Sequence, residues 1–262
     1  MARHLTIRDL FTALLLLCLV LLVPFSRAAD EGDDLPAGGE EDVFFDEFGD
    51  LEEEFDTNAV NEVFDPLSPV NRVVYVFNDR LYFWALKPVA RGYRWAVPKG
   101  GRTAVRRFFG NLGFPMRFVS NVLQCKLKGA GVETARFGVN TTVGILGFFD
   151  PASSWLGWAP PPGEDFGQTL GRYGLGEGFS LMLPILGPSN LRDAVGSVAD
   201  GFLNPVAYVD PFWIYYGGRT VEAVNDTSLR IGEYESLKEQ ALDPYTFMRD
   251  AYSQYRIKQV GE

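Results

Sequence analysis

Acid–base chemistry in this 262-residue chain has to come from carboxylates, because the other usual reagents are missing. The one histidine, His4, and one of the two cysteines, Cys18, fall within the first 28 residues, and the other thiol is Cys125. From residue 29 onward this excludes Ser-His-Asp and Cys-His catalysis, histidine zinc sites, histidine proton relays and an internal disulfide. The carboxylates available for paired acid–base work are Asp150, Glu164, Asp165, Glu177 and Asp193, and none of them shows a diagnostic spacing. Glycines 171, 174, 176 and 178 imitate a phosphate loop, but G-x-x-x-x-G-K-[ST] is absent and Phe179 breaks G-x-G-x-x-G. No G-x-S-x-G nucleophile elbow occurs. The chain therefore reads as a non-enzyme with no metal or cofactor, and a carboxylate-dependent secreted hydrolase is the alternative.

The elements around these residues fall into three regions. Residues 1–28 have a basic start (Arg3, Arg8), an apolar run from Leu10 to Val23, then Pro24 and small residues at Ser26, Ala28 and Ala29. That is a secretory signal with cleavage expected after Ala28, the run being shorter than the ~20 residues of a membrane span. Residues 29–63 form an acidic segment: positions 30–65 hold sixteen Asp and Glu and no Lys or Arg, a composition that predicts disorder. Residues 64–258 are expected to form one helical domain.

Net charge is −10, yet residues 66–128 carry twelve Lys and Arg against the single acid Asp79. Tyr82, Trp84, Tyr93, Trp95, Phe108 and Phe109 are interleaved with these bases. Such a mixture suits a membrane interface, where rings and snorkelling arginines share one level. Composition alone equally allows an ordinary solvated basic face.

Residues 64–88 organise the rest. Asp65-Pro66 signals a turn, and Ser68-Pro69 reads as an N-cap followed by a proline in the first turn. Val70, Val73, Val74, Phe77, Leu81 and Trp84 recur at helical spacing, with Tyr75, Val76, Tyr82 and Phe83 off that stripe. A helix apolar around most of its girth is either buried in a core or faces lipid. Further helices are expected with breaks at Pro88, Pro98–Gly101 and Gly113–Pro115, one of them running from Phe114 to Leu127 with Cys125 as a small buried hydrophobe. The run FSLMLPILGP, split by Pro184, is extended or a kinked helix, and Ser189 or Asn190 can cap the helix after it. Helices roughly over 219–240 and 243–258 close the chain.

The blocks DPLSPVNR, FGNLGFP, RFGVNTTVGILGFFD, FGQTLGRYGLGEGF, LPILGPSNLRDAVG and DPYTFMRDAY, in this order, resemble the VacJ/MlaA family of outer-membrane phospholipid-binding lipoproteins. The resemblance implies an all-α fold, a ring-shaped helical bundle embedded in one membrane leaflet around an amphipathic central channel. It implies passage of mislocalised phospholipid to a soluble periplasmic lipid carrier, association with a trimeric porin, and residence on the periplasmic face of a Gram-negative outer membrane. No nucleic acid partner is implied. Phe77 and Asn78 align with the family's aromatic-Asn stretch as candidates to line or gate the channel, with Tyr75, Gly144, Leu146 and Trp155 as further channel candidates. Arg72, Arg80, Arg91 and Arg94 are candidates to pair with lipid phosphates. Cys18 follows Leu15-Leu16-Leu17 in mid-run, unlike the family's lipidated cysteine, so attachment is expected from the fold itself.

Overall fold

The structure, a computed structural model, describes residues 63–261. The expected signal and nearly all of the acidic segment lie outside the described residues. Chain entry is a turn at Asp65 leading into α1 (Ser68–Leu81), a π-helical stretch (Tyr82–Leu86) and α2 (Lys87–Ala96), which run on without interruption. Leu67, not Ser68, occupies the N-cap position, and Pro69 sits in the first turn. Pro88 therefore does not break the helix as expected. It lies in the first turn of α2, where the wider π-turn, marked by the Lys87 N–H donating to the Tyr82 carbonyl, takes up the irregularity that a proline imposes.

There follow α3 (Lys99–Leu112), α4 (Phe114–Leu123), α5 (Leu127–Thr142), α6 (Pro151–Ser154) and α7 (Phe166–Arg172). Helix α4 ends four residues before the expected Leu127, because the chain turns at Cys125, which takes a φ of 60°. That thiol is exposed, against its expected burial. Two short strands, β1 (Ser180–Leu183) and β2 (Gly187–Asn190), pair antiparallel as a hairpin, the extended alternative for the Pro184 segment. Then come α8 (Leu191–Leu203), a 3-10 turn (Pro205–Tyr208), α9 (Phe212–Leu229), α10 (Glu233–Gln240) and α11 (Pro244–Gly261). The span read as one helix over 219–240 is two, divided where Gly232 adopts a φ of 112° that other residues rarely take. Side-chain caps start three of the helices: Asp150 accepts from the Ser153 N–H, Asp165 from Gln168 and Asn190 from Asp193.

The helical class holds, with one hairpin set into it. Helix α9 lies along α2 and α3, α7 packs on α8 and α11, α4 on α5, and the hairpin joins α1 to α8 and α11. What is buried is unusual. Among the described residues, buried polar or charged side chains number twenty-one against nine apolar ones, and four of those nine are alanines. The large apolar side chains are outside. Leu191, Val195, Val198 and Phe202 form an exposed stripe along α8, Val70, Val73 and Phe77 another along α1, and Ile185 and Leu186 cap the hairpin turn. All five tryptophans are exposed, Trp95 at 91%. Of the two readings open for α1, the lipid face fits this arrangement and the core helix does not: its one buried residue is Asn71. No helix among the described residues is long and apolar enough to cross a membrane.

Candidate functional site

The polar interior gathers around a cavity of about 620 Å³. Helical spacing aims the side chains. On α5, Glu133, Arg136 with Phe137, and Asn140 fall on one face, and on α11 Tyr252, Tyr255 with Arg256, and Gln259 do the same. Helix α3 contributes Arg106, Arg107 and Asn111, helix α4 Met116 and Arg117, and the end of α9 Arg230. The loop before α7 closes the wall with Pro160, Pro161, Glu164 and Asp165.

Six arginines thus meet four carboxylates, Glu133, Asp150, Glu164 and Asp165, leaving the lining with an excess of positive charge. Arg117 forks onto Glu133, Nε to Oε1 at 2.9 Å and Nη2 to Oε2 at 3.2 Å. Arg136 donates to Asp150 Oδ2 at 3.0 Å and to the Trp158 carbonyl, while Asn140 donates to Asp150 Oδ1 at 2.8 Å. Burial works against the Asp150 charge, but the Asn140 and Ser153 hydrogen bonds and the Arg136 guanidinium outweigh it and hold the carboxyl below the usual range. Arg256 grips two carboxylates at once: Asp165 through Nη1 and Nη2 at 2.7 and 2.9 Å, and Asp193 through Nε and Nη2 at 2.7 and 2.9 Å. Burial likewise opposes the Asp193 charge, and Arg256 with Arg192 more than offsets it. Gln124 and Lys126 donate to the two oxygens of Glu164 at 2.7 and 2.6 Å. The Arg106 Nε lies 3.6 Å from Asp226. The Arg107 Nε is buried and makes no hydrogen bond, and the same holds for Nη2 of Arg106 and Nε of Arg230, two residues that have other interactions.

Three of the five candidate acid–base carboxylates, Asp150, Glu164 and Asp165, therefore line the cavity, each bound to a cation or amide. Asp193 stands behind it as a ligand of Arg256, and Glu177 lines a smaller cavity of about 140 Å³, where burial raises its carboxyl. Asp150, Asp165 and Asp193 bind arginines, Glu164 binds Lys126 and Gln124, and Glu177 accepts from the Ser253 hydroxyl.

None of the ten residues singled out for channel or head-group roles lines this cavity. Asn78 holds the hairpin turn, donating to the Leu183 carbonyl at 2.9 Å and accepting from the Ile185 N–H at 2.8 Å. Phe77 is half exposed beside it, and Tyr75 meets the Tyr245 ring edge-on. Gly144 is a close approach: a Cβ there would lie 2.4 Å from the Phe149 carbonyl oxygen. Leu146 has a φ of 60°, between Ile145 and Gly147, which are also left-handed. Trp155 is exposed. Arg72 is exposed and pairs with Asp243 at 2.7 Å, Arg80 lies over the Trp84 ring, and Arg91 and Arg94 are exposed on α2. On α5 the cavity-facing side chains were detectable only as polar residues at helical spacing, Glu133, Arg136 and Asn140.

The model of the MlaA lipoprotein family matches residues 63–259. A Haemophilus influenzae protein described as intermembrane phospholipid transport system lipoprotein MlaA is 34% identical over 209 residues, 76% of this chain and 80% of that one. An Escherichia coli protein of the same description is 36% identical over 197 residues, 72% and 76% of the two chains. A solved structure described as the structural basis for maintenance of bacterial outer membrane lipid asymmetry superposes with a TM-score of 0.67 at 32% identity, covering 75% of this chain and 98% of that one.

Proposed function

This chain belongs to the MlaA lipoprotein family, and from that premise we propose that it is the phospholipid-binding outer-membrane component of an intermembrane phospholipid transport system. In that role it maintains lipid asymmetry by passing mislocalised phospholipid inward. The observation that carries this reading is the inverted burial: charged and amide side chains inside, tryptophans and aliphatic stripes outside. A water-soluble domain places its apolar residues the other way round, and exposed apolar patches of this extent mark lipid or protein contact. A polar cavity inside an apolar shell gives an amphiphile what it needs, since the head group loses water only where other polar groups replace it.

In this reading the protein sits in one leaflet on the periplasmic side, the helices surround the conduit, and the cavity is its polar stretch. The product goes to a soluble periplasmic carrier, and an exposed stripe meets a trimeric porin. Phe77, Asn78 and Tyr75 act on the conduit through the hairpin, with Gly144, Leu146 and Trp155 shaping the wall and rim beyond α5. Arg72, Arg80, Arg91 and Arg94 stand on the outer face, at the level of neighbouring lipid phosphates. The fixed arginine–carboxylate pairs support conduction rather than catalysis. The test is extraction of the exported protein from membranes followed by mass spectrometry of the purified sample. Detergent-dependent extraction with co-purified phospholipid is expected, and a freely soluble, lipid-free protein overturns the reading.

A further inference from the structure

The cavity is too small for a whole diacyl lipid. Its lining mixes apolar Phe137, Met116, Pro160 and Pro161 with six arginines. Its volume of about 620 Å³ corresponds, at the ~30 Å³ that a liquid water molecule occupies, to about twenty water-sized groups. A glycerophosphodiester head group fits such a space, and two long acyl chains in addition do not.

Charge narrows the ligand further. Arg117, Arg136 and Arg256 are each forked onto or bonded to a lining carboxylate, and Arg106 approaches Asp226. One buried guanidinium nitrogen of each of Arg106, Arg107 and Arg230 makes no hydrogen bond, but Arg106 and Arg230 have other interactions, which leaves the Arg107 guanidinium as the one to be matched. A buried donor left unmade is costly, and the guanidinium fork matches two phosphate oxygens. We infer that Arg107 is the anion partner of a phosphodiester group entering this cavity, with the acyl chains left at the apolar exterior. The inference rests on the lipid-transport reading for the source of that phosphodiester, and it names the part of the lipid that is read: the phosphate common to glycerophospholipids, not the alcohol beyond it.

The experiment titrates glycerophosphorylethanolamine, inorganic phosphate and an uncharged glycerol control into the full purified protein in detergent, followed by phosphorus NMR or calorimetry. The parallel readout is the co-purified phospholipid of each variant. Saturable glycerophosphodiester binding is expected, at least tenfold weaker in Arg107→Gln, with lower phospholipid occupancy in that variant and no change in Arg219→Gln on the surface of α9. Arg107→Lys, which keeps the charge and loses the fork, is expected between the two and serves where Arg107→Gln fails to fold. Equal affinity of wild type and both Arg107 variants overturns the inference, as does inorganic phosphate binding tighter than the diester. Arg107-dependent diester binding by a protein that carries no lipid would leave the inference standing and sink the transport reading instead.

Discussion

Asn71 and Asn78, two turns apart on α1, hold β1 and its turn as a neighbouring strand would. The Asn71 amide donates to the Ser180 carbonyl at 3.0 Å and accepts from the Met182 N–H at 2.9 Å. Asn78 repeats the pair on Leu183 and Ile185 at 2.9 and 2.8 Å. A helix has no free main-chain groups to offer a strand, so the two side-chain amides supply the ladder instead.

The two clamps should fail separately. Asn71 is 2% exposed, so Asn71→Ala leaves buried main-chain groups unpaired and costs about 1–3 kcal/mol. Asn78→Ala frees only the exposed turn. Hydrogen exchange reads this directly: the Met182 amide loses protection in the first variant, the Ile185 amide alone in the second. If the hairpin acts on the conduit, Asn78→Ala and Phe77→Ala also change outer-leaflet phospholipid content in cells, whereas unchanged content in both removes the hairpin from the mechanism.

Two glycines of α8 make a matched pair. A Cβ on Gly196 would meet the Gly167 N at 2.5 Å and its Cα at 2.7 Å, backbone that cannot swing aside, while a Cβ on Gly201 meets nothing within 4 Å. Gly196→Ala should therefore destabilise by about 1–3 kcal/mol through overpacking of α7 on α8. Gly201→Ala should stabilise by up to about 1 kcal/mol through helix propensity. Thermal unfolding of both in the same detergent gives the comparison, and melting shifts of the same sign would contradict the packing described.

Much of α1 was legible beforehand, because Val70, Val73, Phe77 and Trp84 keep a helical period whatever surrounds them. Periodicity does not say which way a face turns, and here the buried position belongs to Asn71. The same ambiguity hid the cavity: polar residues at helical spacing on α5 and α11 look like a solvated face until tertiary packing turns them inward. Cys125 illustrates a different limit. A thiol reads as a small hydrophobe, but no local signal marks a non-glycine residue that will take a φ of 60° at the helix end. Pro88 signals a break by its local chemistry, and a π-turn spread over five residues absorbs it.

Acidity acts on this fold with two opposite signs. Asp200, which accepts from the Phe166 N–H at 3.1 Å, is pushed up to about 6 by burial and by the charge of Asp165, with Asp193 adding to the rise and Arg256 opposing it. Between about pH 4 and 6 the folded protein holds a proton that the unfolded chain has released, so this group makes stability fall as pH rises through that window. Asp193 is held below its ordinary range, so its contribution is present above that range and lost as pH falls beneath it. Asp200→Asn keeps an acceptor for the Phe166 N–H and removes the charge. The variant should melt higher than wild type at pH 7 and converge with it near pH 4, and a difference independent of pH would refute the assignment.

The indoles test the membrane claim most directly. Trp84, Trp95, Trp155 and Trp213 are each more than 60% exposed and lie in the π-helical stretch, in α2, just after α6 and in α9. In water each would cost hydrophobic free energy over most of a large ring. At a bilayer interface the same rings are favoured, apolar body in the acyl region and N–H among the head groups. Reconstituted protein should therefore show blue-shifted tryptophan emission, strong quenching by phospholipids brominated near the carbonyl end of the chain, and weak quenching by aqueous acrylamide. Trp95→Ser, which removes the most exposed ring, should lower bilayer partitioning a few-fold without changing the helical signal. Acrylamide quenching equal in the presence and absence of lipid would place these rings in water, and the inverted burial would then need a protein partner as its cover.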